Sequence, residues 1–295
     1  MVNPVLIERD TMTSIGNAIR NKGGATTPLT PGQMPAAINS ISGGGGSSKP
    51  FIITGTLLAG CSGEPSSQIP VVPHNDWDRI KSLIDYENAF YLMNMFQYRK
   101  DLEAREVEEF LSHSMPNVVN LSSLAFSTNF IDSDIVTHVF DLTLNAPKCS
   151  VFNGLLRNSN IRHAKLTIPE HDADKTFSLG YAYYQCSLLN DLEIKGPGLN
   201  QLSNLQSLCE YDVYLQTVTI GDNDTNYSKV SRTNNMFTGC SNLKTLTIKG
   251  VSILPLTAGY VIPNTIQSIK VPAALVDSYK TATNWVVYAD KISAI

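Results

Sequence analysis

The sequence predicts an α+β repeat solenoid with short parallel strands, preceded by a small helical N-terminal anchoring module. Three observations predict it. In MFTGCSNLKTLTIKG, residues 236–250, apolar residues fall at Phe237, Cys240, Leu243, Leu246 and Ile248, a run of threes that ends in a two. The threes suit a one-turn or irregular segment and the two suits a brief strand with alternate residues facing a core. The same spacing returns at Tyr183, Cys186, Leu189, Leu192 and Ile194, and at Cys209, Asp212, Leu215, Val218 and Ile220, where Asp212 alone breaks the apolar set. The final apolar positions, 144, 168, 194, 220, 248 and 271, are separated by 24, 26, 26, 28 and 23 residues. A unit of this size cannot bury its own apolar face, so neighbours must stack.

Residues 1–42 are expected to form an anchoring and oligomerisation module. Met12, Ile15 and Ile19 share a helical face, with Thr11 or Thr13 as cap and Gly23 or Gly24 as stop. A second short helix places Met34, Ile38 and Ile41 at helical spacing behind Pro31. Helices of about a dozen residues are marginal alone in water. They need a docking partner, expected to be other copies of the chain or a larger assembly.

Residues 43–50, GGGGSSKP, read as a flexible linker. The segment 51–75 opens with FIITGTLLAG, one strand and turn from Phe51 to Gly60. The solenoid is expected over 76–272. Trp77, Ile80 and Ile84 offer a helical cover for its first unit. Its early copies are loose: Phe96, Leu102 and Val107; Val139, Leu142 and Leu144; Leu166 and Ile168. Ile266, Ile269 and Val271 supply the last. Residues 273–295 read as a C-terminal helical cap in which Leu275, Tyr279, Trp285, Tyr288, Ala289 and Ile292 cover the exposed core, with Trp285 as a structural plug.

The spacing F-x-x-C-x-x-L-x-x-L-x-I from Phe237 to Ile248 resembles the BspA-like class of bacterial leucine-rich repeats. The resemblance covers residues 85–272 and is strongest over 181–272. It implies adhesion and recognition, with no chemistry. The N-terminal ERDTMTSIGNAIRNKGGATTPLTPGQMPAAINSI, followed by a glycine run, resembles a module of tail-fibre and baseplate proteins from tailed bacteriophages of Gram-positive hosts. Residues 271–295 resemble the closing segment of such proteins. The resemblance implies a non-enzymatic virion tail component, homotrimeric, bound to other tail or baseplate proteins and to a host cell-surface glycan or protein. A bacterial leucine-rich-repeat surface adhesin and a purely structural tail spacer are the alternatives.

Composition bounds the function. The 295 residues are 42% hydrophobic and 16% charged, with a net charge of −4. Without a basic tract, a nucleic-acid partner is not expected. No run approaches the length of a membrane span, so membrane insertion is not expected either. MVNPVLIERD is far short of a signal peptide, which points to synthesis and folding in the cytoplasm. Of the five cysteines, Cys186, Cys209 and Cys240 take core positions while Cys61 and Cys149 lie in turn-like sequence; all are expected as reduced thiols.

Residues for chemistry are scarce. Asp222, Asp224 and Asn226 have calcium-loop spacing, but Tyr227 replaces the turn glycine and Thr233 the bidentate glutamate. Glu170, His171, Asp172 and Asp174 read as a polar turn, and the five histidines show no ligand pairing. No catalytic residue, metal site or cofactor is therefore expected. Recognition is better motivated: six of twelve tyrosines fall between 181 and 227, and Tyr183 alone among them takes a core position. Tyr181, Tyr184, Tyr211, Tyr214 and Tyr227, with Asp222 and Asn223, are the candidate host-surface binding residues. Tyrosine supplies a rigid ring and a polar tip at small entropic cost.

Overall fold

The computed structural model describes residues 102–125, 127, 128, 130, 136–258 and 261–295, with Tyr86, Glu87, Ala89, Leu92 and Phe96 before them. The expected helices bearing Met12, Ile15, Ile19, Met34, Ile38 and Ile41, the linker 43–50, the 51–60 strand and the Trp77 cover lie outside these residues.

Among the described residues, helix α1 (Ala104–Ser112) precedes nine strands: β1 (Val139–Thr143), β2 (His163–Thr167), β3 (Phe177–Ser178), β4 (Asp191–Lys195), β5 (Leu202–Asn204), β6 (Thr217–Ile220), β7 (Thr245–Ile248), β8 (Ser268–Val271) and β9 (Ile292–Ala294). Helix α2 (Val276–Thr281) lies between β8 and β9. Seven strands form one parallel sheet in the order β1-β2-β4-β6-β7-β8-β9, and β3 pairs with β5 in a second.

Alternation explains the strands. HAKLT, DLEIK, TVTI and TLTI each send two apolar residues inward and polar ones outward. Pairing in register stacks Phe140, Ala164, Leu192, Val218, Leu246, Ile269 and Ile292 in one buried row. Leu142, Leu166, Ile194, Ile220 and Ile248 form the next. Each such side chain withdrawn from water contributes about 1.5–3 kcal/mol before entropy is charged against it.

The register corrects the spacing read from sequence. Ile194 pairs with Leu166, and Leu166 with Leu142. Leu144 and Ile168 therefore lie one inward step further on, buried where the chain leaves the strand. Val139, expected inside, is 50% exposed, because the unit sits two residues earlier than the assumed pattern and Phe140 and Leu142 take the two inward strand places. Val107 is buried, but on α1 and not on a strand. A capping box between Glu103 and Glu106 starts that helix, and Ala104, Val107, Phe110 and Leu111 make its buried stripe.

The expected helical cap is only partly helical. Tyr279, Trp285 and Tyr288 are buried as foreseen, but Ile292 belongs to β9, which extends the sheet by another parallel strand. Trp285 Nε1 donates to the Leu254 carbonyl at 2.7 Å, and Tyr279 and Tyr288 hydroxyls accept from the Leu254 and Ile262 amides. Buried polar atoms thus find partners while the three rings fill the end of the core.

Candidate functional site

The site is built on the segments that precede the strands. Those before β1, β2, β4, β6 and β7 each carry two left-handed residues four apart: Ser123 and Ser127, Gly154 and Asn158, Tyr181 and Gln185, Ser207 and Tyr211, Asn235 and Gly239. Between them, alternate amides donate to the following segment. Tyr181, Tyr183 and Gln185 donate to Gln206, Leu208 and Glu210; Ser207, Cys209 and Tyr211 donate to Asn234, Met236 and Thr238, all at 2.8–3.0 Å. The backbone satisfies itself, and the outward side chains are left to other uses.

Four tyrosines, Tyr181, Tyr184, Tyr211 and Tyr214, form a band across this scaffold, the first three in ring contact. Tyr181 and Tyr184 have centroids 5.7 Å apart, and Tyr184 meets Tyr211 edge-on at 5.9 Å. The Arg157 guanidinium lies 4.6 Å from the centre of the Tyr184 ring, a cation–π contact. Gln206 Nε2 donates to the Tyr181 hydroxyl at 2.8 Å, which fixes that ring's tip. Tyr211 and Tyr214 are 46% and 54% exposed, with exposed Val213 between them. Tyr181 and Tyr211 both sit at left-handed positions where the other segments carry Ser, Asn, Gly or, once, Gln. A bulky side chain there costs about 1–2 kcal/mol, a strain that recurs at functional sites.

Asp222, Asn223 and Tyr227 do not join this band. They follow β6, whereas Tyr211 and Tyr214 precede it. Tyr227 is corrected from binding residue to core residue: it is fully buried, its hydroxyl 2.6 Å from the Lys249 carbonyl and 2.9 Å from that of Ile220. Burial pushes its phenol pKa up. Gly221, at φ 92°, lets that hydroxyl approach, since a Cβ there would lie 2.1 Å from it. Asp222 accepts from the Gly196 amide at 2.6 Å, and its own amide donates to Thr225 Oγ1 at 2.8 Å. Its carboxylate ties two loops together. Asn223 is exposed but stands apart from the tyrosines.

Other polar groups are similarly engaged. His171 Nε2 lies 2.8 Å from the Cys149 carbonyl, and Asp172 accepts from the Asp174 amide. His163 pairs with Asp191 and His138 with Glu108 across neighbouring elements. Among the described residues no three metal-capable side chains converge. No helix among them is long and apolar enough to cross a membrane. Cys149, Cys186, Cys209 and Cys240 are free and buried, and burial pushes the Cys149 thiol up to about 12. An open cleft of about 410 Å³ near Tyr227, Ile253, Pro255 and Trp285 has no charged residue in its lining.

Arg157 and Gln206 were not legible as site residues. Nothing in either local sequence marks it, and only the stacking of adjacent segments brings each beside a tyrosine. No family model matches this chain, nor does any curated protein.

Proposed function

We propose that the chain is a non-enzymatic recognition protein of a tailed-phage tail fibre or baseplate. It anchors through its N-terminal module and presents a leucine-rich-repeat solenoid to the host surface. In this reading each strand and its preceding turn segment form one rung, and the parallel sheet is the inner wall of the stack. Regular strand pairing, the recurring pair of left-handed residues and the buried positions from Phe237 to Ile248 support the repeat.

One observation carries the recognition role. Tyr181 and Tyr211 occupy backbone positions that disfavour large side chains, and Tyr211 presents its ring to solvent. A bulky residue kept at an unfavourable position with nearly half of its surface left in solvent is best explained by what it contacts outside. The band of Tyr181, Tyr184, Tyr211 and Tyr214, with Arg157 and Gln206, suits a sugar face or a protein loop: rings for stacking, with an amide and a guanidinium for hydrogen bonds. Assembly as a homotrimer and contacts to neighbouring tail proteins follow from the N-terminal resemblance.

The test separates anchoring from binding. Deleting residues 51–295 should leave incorporation into particles intact and abolish adsorption to host cells; failed assembly would refute this division of labour. In the full chain, Tyr211→Ala with Tyr214→Ala should weaken adsorption at least tenfold. Unchanged adsorption would remove the band from the reading and favour a structural spacer.

A further inference from the structure

One position in each rung performs the same task in four of five cases. Thr128 Oγ1 donates to the Phe96 carbonyl at 2.7 Å, Ser159 Oγ to Ala125 at 2.8 Å, Cys186 Sγ to Leu156 at 3.0 Å and Cys240 Sγ to Cys209 at 2.8 Å. Each small donor thereby staples its turn to the carbonyl of the preceding one. The fifth residue in the series is Asp212, and the carbonyl it faces by this pattern is that of Tyr183. Asp212 is fully buried, and neither carboxyl oxygen has a hydrogen-bond partner. A carboxylate cannot donate, so the ionised form would leave the staple open and a charge buried.

Burial outweighs what the surroundings offer the charge: the Cys209 thiol and the Cys186 amide favour the carboxylate, but by less than burial disfavours it. The groups facing Asp212 are the thiols of Cys186, Cys209 and Cys240 and the Cys186 backbone amide; the Tyr183 phenol faces Cys209 and Cys186, and Glu210 is the acidic neighbour in the chain. None of the ion pairs among the described residues involves it. The Tyr183 carbonyl accepts the Cys186 amide at 3.0 Å and keeps a second lone pair. The next carbonyl in the series, that of Cys209, already uses both: it accepts the Asp212 amide at 3.1 Å and the Cys240 thiol.

We propose that Asp212 is held as a neutral carboxylic acid whose O–H donates to the Tyr183 carbonyl, and that losing this proton unlatches the turn carrying Tyr211, Val213 and Tyr214. Burial raises the carboxyl well above its usual range, which agrees with the geometry. The sign follows. Above about pH 4 the unfolded chain gives up this proton while the folded chain keeps it, so stability falls as pH rises until the folded group itself titrates. Across that window the folding equilibrium drops by up to about tenfold per pH unit. Because the turn bears half of the aromatic band, the latch also makes that surface pH-responsive, a consequence that rests on the recognition reading; the latch does not.

Two measurements on the full chain test it. Carboxyl carbon NMR, with the Asp212 signal identified by its loss in Asp212→Asn or Asp212→Cys, should show a protonated acid at pH 6. Titration with the surface aspartates near pH 4 would overturn the proposal. Denaturant unfolding across pH should show Asp212→Asn, whose amide can donate to Tyr183, more stable than the parent at pH 7 and without its downward slope. Identical slopes would overturn the proposal, and should neither variant fold, the parent's single high-pH carboxyl resonance decides alone. Tyr211→Ala that loses binding without changing this slope separates the two readings; unaltered binding beside an intact slope would reject recognition and leave the latch standing.

Discussion

The two ends of β6 use side chains in opposite ways. At the end it leaves, Asp222, Thr225 and Tyr227 are consumed in holding backbone: a carboxylate on the Gly196 amide, a hydroxyl on the Asp222 amide, a phenol against two carbonyls. At the end it enters, main-chain bonds between adjacent segments and one buried staple position hold the geometry, and the outward rings of Tyr184, Tyr211 and Tyr214 are not needed for it. The difference teaches where a repeat scaffold can host function. Side chains are free to diversify where the backbone is self-sufficient, and they are fixed where it is not.

The comparison can be broken by mutation. The largest effect is expected for Trp285→Ala, which empties the cap on the side-chain-dependent end and removes the donor to Leu254. It should cost about 3–5 kcal/mol in chemical denaturation, and a loss under 1 kcal/mol would show that the cap is dispensable. Tyr227→Phe keeps the ring but strips the proton from the two carbonyls; a loss of about 1–2 kcal/mol is expected by the same measurement, and no loss would erase the claimed contrast. The smallest effect sharpens it: Tyr211→Asn relieves a strained left-handed tyrosine, so stability should hold or rise by up to about 1 kcal/mol while host adsorption falls. Loss of both together would place Tyr211 among the structural residues.

Much of the sheet was legible because period-two alternation survives in strands as short as TVTI and TLTI. Legibility failed where another rule competed. AREVEEFLS matched the repeat at Val107, but its capping box and i, i+3, i+4 stripe won. Ile292 matched helical spacing equally well, and only pairing with Ile269 reveals a strand. In the site, clustering along the chain put Tyr227 beside Tyr211. A strand of four residues, roughly 13 Å long, lies between their segments. Sequence proximity is a poor guide to shared surface when every unit runs through the core and out the other side. Asp212 was visible as a break in pattern; its meaning needed the four hydroxyls and thiols that share its place.

The paired left-handed residues keep an interval of four in all five segments, from Ser123 and Ser127 to Asn235 and Gly239, although the distance from one pair to the next varies from 26 to 31 residues. Length variation is therefore absorbed by the connectors alone. A single-residue deletion between Tyr181 and Gln185 would put every later amide of that segment opposite the wrong carbonyl, whereas the same deletion between Pro169 and Thr176 would merely tighten a surface excursion. Such a chain can grow new surface without disturbing its frame, provided the additions arrive in the excursions.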